Sequence, residues 1–247
     1  MHSPSYADVC VARAMLNALK LPTELVLEIL DRARYWPALK FTSIRLGRAV
    51  AGISASVSAS LSLEAGILSP DTLRHICSST ETPKVKEIEF WIESRDQGWT
   101  SEHTGGTFNT SSWLEVSIFR PGSVMRDLPP AHLMFKRQSS PLELQRMLQD
   151  YGWTLVTRPE SVEQGPQAGE GHLAWYLQGN RVAWVPRYDY RVVWAFDHFE
   201  GNEGAGRGEG FLQELKEGDR LLIWARAKYP GWECIVGSVK MTVHYGF

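Results

Sequence analysis

The forty-residue stretch 208–247, GEGFLQELKEGDRLLIWARAKYPGWECIVGSVKMTVHYGF, decides the fold class. Gly218-Asp219 is a turn pair, and the apolar run 221–227 is closed by Tyr229-Pro230-Gly231, so residues with fixed backbone preferences bracket a buried strand. Past that break, Val239, Met241, Val243 and Tyr245 fall on one face while Lys240, Thr242 and His244 fall on the other. This is the period-two sorting of a half-buried strand. The two strands are expected to pair as a wide hairpin, and the pattern points to a β-sandwich.

Upstream, the same alternation recurs. Ile53, Ala55, Val57, Ala59, Leu61 and Leu63 alternate with serines at 54, 56, 58, 60 and 62, which predicts a strand over 50–63 whose serine face meets solvent or a polar ligand. Ile88, Phe90 and Ile92 oppose Glu87, Glu89 and Glu93 in a second strand, and Trp113, Glu115, Ser117 and Phe119 share one face of a third. Further strands are read at 133–136, 173–177, 182–185 and 191–196, with a Gly179-Asn180 turn joining the 173–177 and 182–185 segments. Residues 66–82 read as a connection with one helical turn at 70–77, 141–150 has helical composition, and 165–171 and 201–210 read as loops. About eight or nine strands suit a mainly β, jelly-roll or galactose-binding-like sandwich over 45–247. No fixed-period repeat supports a propeller or solenoid.

Ahead of the sandwich, 7–19 and 22–34 read as two short helices that make up a segment over 1–40. In the second, Pro22 opens the first turn and Leu25, Ile29, Leu30 and Ala33 recur on one side until Pro37 ends the stretch. The 247 residues are 43% hydrophobic and 22% charged, enough apolar content for a real core. With 26 basic against 28 acidic residues and no Lys/Arg block, the electrostatic footprint of a nucleic-acid binder is missing. Cys10, Cys77 and Cys234 lie far apart without metal-ligand spacing and suit a reducing compartment. No signal-peptide core or membrane-length apolar run is read, so the expected location is the cytoplasm, or the nucleus by diffusion. Neither cofactor nor metal is implied.

Three fragments, LPTELVLEILDRARYWP (21–37), EFWIESRDQGW (89–99) and GDRLLIWARAKYPGW (218–232), occur in that order and resemble a family of filamentous-fungal proteins that begin with an F-box-like helix. The resemblance spans nearly the whole chain and is weakest around 36–84 and 120–190. It implies a galactose-binding-type β-sandwich body and, through helix 22–34, a protein partner. The same amphipathic helix also reads as one that packs on the sandwich.

Candidate chemistry gathers in two places. The loop from Arg95 through Asp96, Gln97, Gly98, Trp99 and His103, and on from Asn109 to Trp113, brings together acid, amide, imidazole and indole groups of the kind that hold a sugar. Asp96 and Gln97 equally fit turn hydrogen bonds, with Trp99 plugging the core. Trp224, Arg226, Tyr229 and Trp232 form a second cluster in which a guanidinium can stack on indoles, opposite the small face of Ala225 and Ala227. This is a pocket wall or a packed layer. Trp194, Asp197 and His198 end one strand, but neighbours in a continuing strand face opposite ways, against an acid/base pair. No nucleophile elbow, His-x-x-x-His helix or phosphate loop is present.

Two functions from different classes fit these features. One is a non-catalytic module binding a glycan or small molecule through loop-end aromatics. The other is a cofactor-free cyclase of fungal secondary metabolism, of the Diels-Alderase or isomerase type, working by substrate positioning. A third reading is an F-box-like interaction adaptor.

Overall fold

The computed structural model describes residues 3–43, 46–52, 57–77, 82–122, 127–135, 140–162 and 172–247. The elements begin with α1 (Tyr6–Ala18), α2 (Thr23–Arg32), β1 (Ala38–Thr42), β2 (Gly47–Val50), β3 (Val57–Ala65), α3 (Pro70–Ile76), β4 (Lys84–Arg95) and β5 (Ser112–Pro121). They continue with α4 (Ala131–Met134), α5 (Pro141–Leu148), β6 (Trp153–Leu155), β7 (Trp175–Gly179), β8 (Tyr188–Ala195), β9 (Phe199–Glu200), α6 (Phe211–Glu214), β10 (Arg220–Lys228) and β11 (Glu233–Gly246).

The strands form two antiparallel sheets. One runs β1-β11-β4-β8-β9 with β2 also on β11, and the other runs β3-β10-β5-β6 with β7 also on β5. The eight strands of the body are therefore ordered β2-β11-β4-β8 and β3-β10-β5-β7, and the chain changes sheet at each step among them except from β5 to β7. That is jelly-roll connectivity, as the alternating patterns predict. The alternation works as read on β4 and β11: Ile88, Phe90, Ile92, Val239, Met241 and Val243 are buried between the sheets, where they meet Leu114, Val116, Ile118 and Ile223.

The expected β10–β11 hairpin does not form. β10 lies between β3 and β5, and β11 pairs with β4, β1 and β2 in the opposite layer. The turn at Tyr229 and Gly231, both at positive φ, carries the chain across the sandwich. Both faces of β10 are buried, so it needs cover on two sides. Leu221, Ile223, Ala225 and Ala227 face the other sheet, while Leu222 and Trp224 face an outer layer made with Met134, Leu144, Leu148 and Trp153.

The serine-alternating segment is also not one strand. β2 ends at Val50 in one sheet and β3 begins at Val57 in the other; Ile53, Ser54, Ala55 and Ser56 lie outside the described residues. Within β3, Trp224 pairs with Leu61 while Ile223 pairs with Leu63, so Ser62 is the extra residue of a β-bulge. The bulge sends Ala59 and Leu61 to the outer layer and Leu63 and Ala65 to the inter-sheet core. Contrary to the expected solvent-facing serines, Ser58 and Ser62 are buried, and Ser58 Oγ accepts the Val50 amide.

Three further expectations change. Residues 131–134 are helical, not the start of a strand at 133, and Lys136 lies outside the described residues. Residues 182–185 form no strand, because Asn180 is a buried anchor instead of a hairpin turn: it bonds Ser94 Oγ at 2.6 Å and Ser112 Oγ at 2.8 Å. The loop expected at 165–171 lies outside the described residues.

β1 adds to the edge of the larger sheet, so the sandwich takes in residues ahead of the expected start at 45. The helices pack on each other through Val9, Val26 and Leu30, with Phe247 of the sandwich against them. Arg34 to Glu87 (3.0 Å) and Lys86 to Asp31 (2.8 Å) pin the pair to the β4 surface.

Candidate functional site

One end of the sandwich gathers three loops, 96–111, 180–187 and 229–232. Asp96 holds two of them together. It is fully buried, with one carboxylate oxygen accepting from the Gly98 amide (2.8 Å) and the other from the Ala183 amide (2.6 Å). Burial pushes this carboxyl above the usual range, while the backbone donors and Arg95 pull it down. Gln97 then joins the third loop, donating to the Trp99 carbonyl and accepting from the Glu233 amide. Asp96 and Gln97 thus make turn and loop-to-loop hydrogen bonds, but Trp99, expected as a core plug on the same reading, is exposed.

The rings on these loops face outward. Trp99 is 59% exposed and lies against Gly231, where a Cβ would sit 3.5 Å from the indole. Gly98, at positive φ, has Val185 as its neighbour, and Val185 is 67% exposed. Beside it Trp184 is 37% exposed and carries the Arg181 guanidinium 4.5 Å from its ring centre. Tyr229 is 49% exposed, with Lys228 Nζ 5.2 Å from its ring centre. Trp99, Trp184 and Tyr229 are therefore carried on loops that touch one another, with a cationic side chain over the Trp184 and Tyr229 rings. The sequence pattern does not mark Trp184 as a surface ring, because 182–185 reads as a strand. The neighbouring Trp232 packs half-buried on the core, and His103 is exposed in the turn of the first loop.

The remaining residues singled out from sequence lie elsewhere. Trp194 sits between the sheets against Phe90 and Phe211 and donates to the Gly206 carbonyl at 2.7 Å. Trp113, Trp224 and Arg226 lie under the outer layer. Arg226 pairs with Glu115 at 3.0 Å, Glu115 also accepts from Trp113 Nε1 at 3.1 Å, and the guanidinium is 5.8 Å from the Trp113 ring centre. Asp197 and His198 do touch, at 2.8 Å, because β8 stops at Ala195 and the strand that would have separated them does not persist. His198 and Arg34 hold the Asp197 carboxyl below its usual range. Arg34 also reaches His198 at 3.0 Å, so this pair serves the helix-to-sheet contact.

Among the described residues no group of three or more His, Cys, Asp or Glu side chains is arranged to hold a metal ion. No described helix is long and apolar enough to cross a membrane.

No protein-family model matches the chain, and no curated protein does. Among solved structures, a peanut lectin with a nine-residue peptide is 9% identical with a TM-score of 0.36, covering 85% of this chain and 99% of the lectin. A basic winged bean lectin with Tn-antigen is 9% identical with a TM-score of 0.30, covering 84% and 99%. A decameric BFDV capsid protein is 10% identical with a TM-score of 0.25, covering 84% and 97%.

Proposed function

We propose that this protein is a binding module that holds a glycan at the loop end of the sandwich, on the surface made by Trp99, Trp184 and Tyr229. The observation behind this reading is that these three rings stay exposed on loops that are locked from below by Asp96 and Gln97. Exposed aromatic rings on fixed backbone offer flat apolar area to the C–H face of a sugar at little cost in conformational entropy. Arg181, Lys228 and Arg95 supply hydrogen-bond donors for hydroxyls or an acidic substituent around the rim. The surface is open, which suits reversible binding more than catalysis by enclosure. A cyclase acting by shape would surround its substrate with apolar walls.

The test is a glycan-array screen of the intact protein alongside Trp99→Ala. Trp99 is solvent-facing, so the substitution should leave the melting temperature within a few degrees while lowering affinity for retained glycans at least ten-fold, about 1.4 kcal/mol. Equal retention by both proteins would place the ligand elsewhere and end this assignment.

A second reading concerns the helices. Val11 and Met15 of α1, Leu19 at its C-cap, and the α2 residues Leu25 and Ile29 are all exposed, forming apolar stripes at helical spacing on a segment whose buried side is already satisfied by Val26 and Leu30. A protein partner seated there accounts for the stripes. A photo-crosslinking amino acid at position 25 should give a discrete adduct in cell extract that Ile29→Glu removes. A diffuse smear, or none, would retire the reading.

A further inference from the structure

The far end of the sandwich holds a cleft of about 950 Å³, in the upper part of the range typical of small-molecule sites. It is separated from the aromatic loops by the length of β4, whose twelve residues span roughly 35–40 Å at about 3.3 Å each. Leu68, Leu73, Val85, Phe196, Leu212 and Leu215 supply its apolar lining. None of these positions is close in sequence to more than one of the others, so the cleft is a product of topology: α3, the start of β4, the end of β8 and the segment after α6 converge there.

The walls are fixed in place. Leu68 exchanges backbone hydrogen bonds with the turn before β10, donating to the Asp219 carbonyl (3.1 Å) and accepting from the Gly218 amide (2.8 Å). Asp219 is fully buried and accepts both a bidentate pair from Arg120 at 2.8 Å and the Lys216 amide at 2.8 Å. The turn carrying Lys216 is therefore locked from beneath. A cleft whose wall is already ordered loses little entropy on binding.

The rim is cationic. Arg74, Lys84 and Lys216 line it, opposed by Glu217. Arg74 is engaged with Asp71 one turn away on α3, whereas Lys84 and Lys216 have no ion-pair partner among the described residues. An apolar trough with two uncommitted ammonium groups at its lip is complementary to a molecule with a hydrocarbon body and an anionic head. We propose that this cleft binds a small amphipathic carboxylate, its chain along Leu73, Val85, Phe196 and Leu212 and its head between Lys84 and Lys216.

Cys77, half-buried in the wall, provides the readout. In Cys10→Ala protein, with Cys234 fully buried, maleimide labelling reports on Cys77. Dodecanoate should slow that labelling at least ten-fold at saturation. Dodecylammonium, with the same chain and opposite charge, should need at least ten-fold more ligand for the same protection. Lys84→Glu combined with Lys216→Glu should reverse this preference, and because both lysines are exposed the melting temperature should hold; Lys84→Gln with Lys216→Gln should abolish the preference without reversing it. Unslowed labelling with dodecanoate, or equal protection by both amphiphiles in every variant, would overturn the proposal. Trp99→Ala should leave these results unchanged, which keeps this site separate from the glycan surface.

Discussion

Trp224→Ala is expected to destabilise the protein by about 3–5 kcal/mol and lower its melting temperature by on the order of 10 °C. The indole is fully buried in the outer layer, among Leu61, Phe119, Leu144, Leu148 and Trp153. It forms one end of a polar chain: Trp224 Nε1 donates to Ser117 Oγ at 3.1 Å, and Ser117 Oγ donates to the Leu173 carbonyl at 2.7 Å. Truncation removes one of the two tryptophans of the cluster and leaves a void that two sheet strands and α5 cannot close without moving together, so the loss combines transfer and cavity terms. Trp224→Phe keeps most of the apolar area and forfeits the hydrogen bond, so it should cost about 1–2 kcal/mol. Differential scanning calorimetry of the three proteins checks the order. An unchanged melting temperature in Trp224→Ala, with ligand binding lost, would instead make this residue a site wall.

Trp224 also shows what a sequence can and cannot display. With Arg226 it alternates against Ala225 and Ala227, which marks a strand with one bulky and one small face, and both faces exist as read. Which neighbour each face meets is not encoded in a period of two. Trp99 and Trp224 both read from sequence as candidate ligand-site rings, yet one is 59% exposed and the other fully buried. The difference comes from α5 and β6 folding over the outer sheet, a long-range event. The same holds for β10 and β11: each was legible as a strand, but nothing local to Tyr229-Pro230-Gly231 says whether the chain turns within a sheet or crosses to the other. The bulge at Ser62 inverts the faces of β3 halfway along a perfect alternation, so a regular pattern concealed an irregular register. The apolar cleft was illegible for a simpler reason, since Leu73, Val85, Phe196 and Leu212 belong to four separate segments.

The ion pair beneath the outer layer should respond even more selectively. Glu115→Leu and Arg226→Met are each expected to cost about 3–5 kcal/mol, because each removes one charge and leaves the other deep in the protein. Arg226 is fully buried, and Glu115 is held by both Arg226 at 3.0 Å and Trp113 Nε1 at 3.1 Å. Arg158 lies close enough for its field to matter: burial lowers its guanidinium from the ordinary range, and Glu115 raises it. Two buried cations therefore share the influence of one carboxylate, which makes Glu115 the more damaging residue to remove. The double variant Glu115→Leu/Arg226→Met eliminates the strained charge from both sides and should be more stable than the sum of the single losses predicts by about 2 kcal/mol or more. Urea titrations of the four proteins complete the cycle. Strict additivity would mean that the two side chains stabilise the layer by packing alone, as apolar bulk against Trp113 and the sheet, and that their opposite charges are incidental.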